Sequence, residues 1–285
     1  MLATYHNHSN WSDGRQTLQE MLDAATRMGI GELGVSDHWV LHPKGTIMKW
    51  AMPVDRLADY IEAIIVLKRD SKTRRGPEVR IGLEVDWYPV RPDSADPGLP
   101  LRAILERHPF DYLIGSVHEV DGFMIDGSPG GWAPLSQDQI NHIHRRYWQN
   151  MRTLGEASLF DLVAHIDLAK KFAFYPTTDL RTEIGEALDA IAAAPNKPVV
   201  ELNTAGWHKP CADGYPTLEI LRECRRREIP VTISADAHQS EHLLRDFDKA
   251  AARLAEAGYT HVARFAGRER RFEPLEDAVP TANAR

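Results

Sequence analysis

The chain has 285 residues, 43% of them apolar and 26% charged, a balance that suits one large globular domain and excludes an intrinsically disordered chain. A formal charge of −7 speaks against nucleic acid as a general partner, because phosphate backbones are held by clustered Lys and Arg. No run approaches the ~18 apolar residues of a membrane span. With no basic and apolar leader at the start, a cytoplasmic address is expected. The two cysteines, Cys211 and Cys224, are too few for a disulfide framework and are expected reduced and structural.

The first apolar segment runs into His6-Asn7-His8. On a strand, residues two apart share a face, so both imidazoles can address one ion. Ser12-Asp13-Gly14 adds a carboxylate at a turn. Residues 17–28 carry apolar positions at the 3.6 period of a helix and stop at Gly29. A short strand over 32–36 ends in Asp37-His38, a helix covers 54–71, and a β-rich run over 79–85 carries Glu84. A shorter helix is predicted over 99–107, and a strand over 111–117 ends at His118. Residues 121–134, rich in Gly, Asp and Pro, read as a loop over the strand ends.

A long helix is predicted over 136–156, then a strand over 160–164 ending in His165-Ile166-Asp167, a helix over 182–193, and a strand over 198–202 ending in Asn203. Residues 215–227 read as a helix with Pro216 in its first turn. A strand over 230–234 ends in Asp236-Ala237-His238, a last helix covers 241–257, and a strand over 259–265 precedes a polar tail, 265–285. Alternation of strand and helix is the grammar of a parallel sheet. No linker or repeat divides the chain, so residues 1–285 are expected to form a single domain.

His6, His8, His38, Glu84, His118, His165, Asn203, Asp236 and His238 all fall at predicted strand ends. In a (β/α) barrel those ends converge on one mouth, where such enzymes keep their chemistry. His142-Ile143-His144 is a useful contrast: on a helix, residues two apart point about 200° apart and cannot share an ion. Those two, and His42, His108, His242 and His261, are read as structural. With Asp13, the strand-end donors suffice for two or three divalent ions. A mixture of imidazole and carboxylate suits Zn, Mn or Fe. Asp37 and Asp167, beside ligand candidates, are expected to orient the imidazoles.

The strings His6-Asn7-His8 with Ser12-Asp13-Gly14, Ser36-Asp37-His38, Gly82-Leu83-Glu84, Gly115-Ser116-Val117-His118, Ala164-His165-Ile166-Asp167, Glu201-Leu202-Asn203-Thr204-Ala205-Gly206 and Ser234-Ala235-Asp236-Ala237-His238 together resemble the polymerase and histidinol phosphatase (PHP) family. The wording from Gly115 to Gly122 with Asp126, and from Lys209-Pro210 to Tyr215-Pro216, is similar to its stand-alone histidinol-phosphate phosphatases. The resemblance spans about residues 4 to 240.

It implies an α/β fold, a distorted (β/α)7 barrel resembling a TIM barrel, with a trinuclear metal centre at the C-terminal ends of the strands. By position, His6, His8, Glu84 and Asp236 would hold the first ion. Glu84 would bridge to a second held by His118 and His165. Asp13, His38 and His238 would hold the third. The implied activity is hydrolysis of L-histidinol phosphate to L-histidinol and phosphate, by attack of a hydroxide shared between ions. Another phosphomonoester or a phosphodiester is the alternative substrate, and a non-catalytic module the alternative role. The sequence departs from the phosphatases at Trp207-His208-Lys209, where an Arg before the Lys is expected, and in the loop 39–52 with Trp50. For phosphate binding, Lys170, Lys171, Asn203, His208 and Lys209 are the candidates. Asp236 and His238 are the candidate catalytic acids by proximity. Three divalent ions would bring the charge of −7 to about −1 and leave the mouth locally positive. The expected partner is therefore a small anionic ester, with neither nucleic acid nor membrane.

Overall fold

The computed structural model describes residues 1–89 and 99–279. In chain order the elements are β1 (Ala3–Thr4), α1 (Leu18–Arg27), β2 (Glu32–Val35), β3 (His38–Trp39), α2 (Leu57–Thr73), β4 (Glu78–Ile81), β5 (Glu84–Asp86), α3 (Leu99–Leu105), β6 (Ile114–Ser116), β7 (Glu119–Val120), β8 (Phe123–Met124), α4 (Pro129–Trp132), α5 (Gln137–Ala157), β9 (Leu162–Val163), α6 (Arg181–Ala193), β10 (Val199–Asn203), α7 (Leu218–Arg226), β11 (Val231–Ser234), α8 (Phe247–Glu256), β12 (His261–Ala266) and β13 (Glu269–Pro274). Helices α1 and α5 begin at capping boxes, Thr17 with Glu20 and Ser136 with Gln139, each satisfying end N–H groups that would otherwise lack partners.

The parallel strands form a three-stranded sheet, β1-β2-β4, and a six-stranded sheet, β11-β10-β9-β6-β5-β3. Two staves are broken in the middle: β2 resumes as β3, and β4 as β5. Backbone bonds carry the pairing across the breaks, Ser36 N–H to Asn7 O at 2.9 Å, Gly82 N–H to Val35 O at 2.8 Å and Glu84 N–H to Asp37 O at 3.2 Å. Gly82 is required at its break, since a Cβ there would lie 2.2 Å from Cζ of Tyr112. The seam between the first and seventh staves is closed by a parallel bridge of Asn7 with Ala237, with His8 N–H to Ala237 O at 2.9 Å. The result is the distorted seven-stave barrel implied by the resemblance, wrapped by helices whose apolar faces meet it.

A second buried cluster, including Tyr5, Tyr112, Ile114, Leu162 and Phe265, floors the barrel. Tyr5 packs edge-on against Tyr112 and Phe265, with centroids 5.4 and 5.2 Å away. This corrects the expected polar tail from residue 265. Phe265 is 1% exposed, and β13 pairs antiparallel with β12 from His261↔Pro274 to Ala266↔Glu269. The turn residues Gly267 and Arg268 both have positive φ, as a two-residue hairpin needs. Charge keeps the hairpin in place: Arg271 reaches the buried Glu32, Arg268 reaches Asp161, and Arg264 Nε lies 2.8 Å from Glu273.

Three further expectations shift. The helix predicted over 215–227 starts at Leu218, because Tyr215 pairs its backbone with Asn203 (2.7 and 3.0 Å) and precedes a cis peptide to Pro216. The helix predicted over 241–257 starts at Phe247, after Asp246 turns to φ 59°. The loop over 121–134 contains β8 and α4.

Candidate metal centre

His6 and His8 leave β1 on one face and are fully buried, while Asn7 turns outward and donates from Nδ2 to Gly34 O at 2.8 Å. The strand period thus aims both imidazoles into the barrel mouth. Glu84, at the head of β5 and 0% exposed, stands among five imidazoles. Its carboxylate oxygens lie 3.0 Å from His6 Nε2, 2.8 Å from His38 Nδ1, 3.5 Å from His8 Nε2, 3.2 Å from His165 Nε2 and 3.7 Å from His118 Nε2. Burial alone would raise its pKa; His38 and His6 outweigh that and hold it well below the carboxylate range.

Asp236 follows β11 at φ 49°, a conformation that costs a non-glycine residue energy and is retained where function demands it. Its Oδ1 sits 3.1 Å from His8 Nε2 and 3.6 Å from His6 Nε2. His238 hydrogen-bonds to Asp236 O through Nδ1 at 3.0 Å, leaving Nε2 facing Asp13 Oδ1 at 3.2 Å.

Donor atoms converge in the groups His6–His8–Glu84, Glu84–His118–His165 and His8–Asp13–His38–His238. The first two are groupings the resemblance implied, with Asp236 beside the first. The third gains His8, whose ring stacks at 4.2 Å on both His38 and His238. Inside this nest His6 Nε2, His8 Nδ1, His38 Nδ1, His165 Nδ1 and Glu84 Oε2 are buried without a hydrogen-bond partner. Five such atoms in one place would be costly in a protein interior; His6 Nε2 and His38 Nδ1, both turned to Glu84, and Glu84 Oε2 itself are the atoms a divalent cation would engage, so the donor set fits the metal.

A second layer fixes the rings. Glu201 on β10, fully buried, takes His6 Nδ1 at 2.9 Å, the His165 backbone N–H at 2.8 Å, Asn203 Nδ2 at 2.9 Å and Ser234 Oγ at 2.5 Å. Asp86 takes His118 Nδ1 at 2.7 Å. Each leaves Nε2 aimed at the centre, the arrangement that metal-bound histidines favour. Glu201 stands in one of the strings that carry the resemblance, but neither carboxylate was given a role from the sequence. Both were within its reach, because Asp86 lies two residues after Glu84 and Glu201 two before Asn203, hence on the same strand faces.

Asp37 and Asp167, expected to orient imidazoles, do other work. Asp37 accepts from Ser9 N–H and Oγ (both 2.8 Å) and from Ser12 Oγ (2.6 Å), pinning the loop that carries Asp13. Asp167 pairs with Lys170 at 2.8 Å and accepts from Thr217 N–H at 2.9 Å. The helical histidines diverge, His144 to Phe174 O at 2.8 Å and His142 to Asp121 at 3.3 Å.

A cavity of about 560 Å3 opens over the centre. Lys171, His208 and Lys209 line it, as do Arg15, Arg245 and Trp50. Two phosphate-binding candidates are corrected. Lys170 is 6% exposed and spends its ammonium on Asp167 and on Gly214 O at 2.7 Å. Asn203 is buried and bonded to Glu201, with Asp236 3.4 Å away, so it braces ligands. His208 faces the cavity but is paired with Asp246 at 2.5 Å. Arg245, not anticipated, has a buried Nε without a partner. The loop 39–52 is pinned where Met52 N–H meets His38 O at 2.9 Å, and Trp50 packs edge-on over His38 and His118 at 4.8 and 5.5 Å.

The family model of the PHP domain matches residues 4–205. The "Probable histidinol-phosphatase" of Deinococcus radiodurans is 30% identical over 223 residues, 78% of this chain and 80% of that protein. The histidinol-phosphatase of Bacillus subtilis is 26% identical over 249 residues, 79% of this chain and 88% of that one. Among solved structures, histidinol phosphate phosphatase from Lactococcus lactis, complexed with zinc, L-histidinol and phosphate, superposes with a TM-score of 0.75, covering 95% of this chain and 98% of its own at 21% identity. That likeness is one of fold. The strand-end donors, the seven-stave barrel that gathers them and the match over 4–205 agree: the chain belongs to the PHP domain family.

Proposed function

We propose that the protein is a metal-dependent phosphomonoesterase that hydrolyses L-histidinol phosphate to L-histidinol and phosphate, a step of histidine biosynthesis carried out in the cytoplasm by a single-domain chain. The observation that carries this reading is the nest of unpartnered imidazole and carboxylate atoms under a basic cavity, in a chain whose relatives bear that activity in their names.

His6, His8, Glu84 and Asp236 would hold one ion, Glu84, His118 and His165 a second, and Asp13, His38 and His238, joined by His8, a third. Zinc, manganese and iron(II) all suit these donors. Such ions supply a water-derived nucleophile at neutral pH and neutralise phosphoryl oxygens. The chain's own part is positioning, which is most of what phosphoryl transfer asks of a protein. Glu201 and Asp86 fix the tautomers of His6 and His118. Arg15, Lys171, Lys209 and Arg245 face the cavity and orient the phosphate. Trp50 covers His38 and His118 and restricts water there.

Asp236 and His238 serve as metal holders rather than proton donors. Asp236 is held ionised, well below the usual carboxylate range, because His6 and His8 outweigh the cost of its burial. His238 commits Nδ1 to Asp236 O, so an ion held at Nε2 would leave it no proton to give.

The test is phosphate release from L-histidinol phosphate against a panel of phosphomonoesters and phosphodiesters. The zinc-loaded protein is expected to favour L-histidinol phosphate by at least tenfold, and His118→Ala to release none while binding less zinc. A preference for another ester, or full activity in His118→Ala, would overturn the assignment.

A further inference from the structure

The charges lining the cavity are unevenly divided. Arg15, Lys171, Lys209 and Arg245 are basic, whereas of the three carboxylates Asp13, Asp126 and Asp236 two sit in the ligand nest. Among the described residues Asp126 is therefore the one cavity carboxylate left over. It is not idle. Lys171 Nζ lies 3.3 Å from Asp126 Oδ2 and donates to Asp126 O at 3.1 Å, with the two side chains 17% and 25% exposed. Both are tethered beside the second ligand group. Asp126 follows Ile125, whose N–H bonds to His118 O at 2.9 Å, and Lys171 closes the turn that begins at His165. Met124 and Leu168 line the cavity with them and supply apolar surface.

A phosphate arriving at this wall competes with Asp126 for the Lys171 ammonium. If Lys171 turns to the phosphate, Asp126 keeps a half-buried charge without its partner, which is unfavourable. A substrate whose alcohol portion carries a protonated amine removes that penalty, since its cation replaces the ammonium that left. An uncharged ester does not.

Resting on the phosphatase reading above, we propose that Asp126 is the specificity residue: it receives the cationic group of an amino-alcohol phosphate, while Lys171 exchanges its ion pair with Asp126 for one with the phosphate. Selection then comes from the unpaired carboxylate left by wrong substrates as much as from contacts to the right one.

The two products separate the two halves of the exchange. Inhibition by L-histidinol and by inorganic phosphate is measured on zinc-loaded wild type, Asp126→Asn, Asp126→Ala and Lys171→Met, together with kcat/KM for L-histidinol phosphate and for p-nitrophenyl phosphate, at matched zinc content. The Asp126 variants are expected to weaken L-histidinol inhibition by roughly 10- to 100-fold, the loss of one hydrogen bond between charged groups, while phosphate inhibition is retained or tightened, because Lys171 is released and no carboxylate is left unpaired. Their preference for L-histidinol phosphate over p-nitrophenyl phosphate falls by the same factor. Lys171→Met shows the converse pattern for the two inhibitors. Equal losses for both products in the Asp126 variants would overturn the proposal and make the pair a structural tie, as would unchanged L-histidinol inhibition. Unchanged L-histidinol inhibition in the Asp126 variants of a wild type that hydrolyses L-histidinol phosphate would refute this inference alone, whereas wild type that hydrolyses only uncharged esters, or none, would refute the reading beneath it.

Discussion

Glu201→Gln isolates the second layer, because it keeps the shape of the side chain and removes only its charge and one acceptor. In the native protein one carboxylate oxygen faces Ser234 Oγ at 2.5 Å and His6 Nδ1 at 2.9 Å, and the other faces His165 N–H at 2.8 Å and Asn203 Nδ2 at 2.9 Å. Whichever way the amide is turned, its NH2 opposes one of these donor pairs. Two buried donors then lose an acceptor at about 1–3 kcal/mol each; Ser234 can rotate its hydroxyl away, so we expect a net loss of about 2–4 kcal/mol in the metal-free protein. The His6 ring also loses the partner that fixes its tautomer, and loss of such a partner lowers metal affinity about 10- to 100-fold. Thermal unfolding in chelator reads the first effect, and zinc competition with a chromophoric chelator reads the second. Zinc affinity equal to that of wild type would refute the claim that Glu201 organises the centre.

Other consequences follow from the same geometry. In the metal-free protein, burial lowers the His118 pKa but Asp86 raises it more, to about 10, and His238 is raised to about 9 by Asp13 and Asp236. Both are therefore protonated at neutral pH and must lose their protons to bind metal, so zinc uptake near pH 7 should release about two protons or more, measurable by calorimetry in buffers of different ionisation enthalpy. Uptake without proton release would contradict that state. By linkage, the stability these pairs lend the metal-free fold is fully present below about pH 6.5 and is lost as pH rises through about 9 to 10. At the opposite end of the barrel, Phe265→Ala should cost about 3–5 kcal/mol of stability while kcat of the folded fraction stays within twofold; a large fall in kcat would show that the hairpin reaches the site.

The candidate metal donors were legible because a parallel strand deposits side chains at its end, and seven strands converge whatever the distance between them in sequence. His6 and His165 are 159 positions apart in number and have ring centroids 5.7 Å apart. The second layer was harder to read. Glu201 and Asp86 sit within strands and look like isolated charges until the two-residue period is applied from Asn203 and Glu84. Lys170 and Lys171 are indistinguishable by type and separated by one step of a 3-10 turn, so one turns inward to Asp167 and the other to the cavity. The strand expected over 259–265 is β12, but its partner β13 was hidden by its charges. Arg264, Arg268 and Arg271 look solvated in sequence, yet they meet Glu273, Asp161 and Glu32, none of which is near the turn except Glu273.

The central claim is that this nest of histidines and carboxylates holds two to three divalent ions that make the protein a phosphatase. Stripping the metal with chelator and titrating zinc back, with phosphate release from L-histidinol phosphate followed at each addition, tests it most directly. No release from the stripped protein, and recovery complete at two to three equivalents per chain, is the predicted result; undiminished release from the metal-free protein would contradict the account.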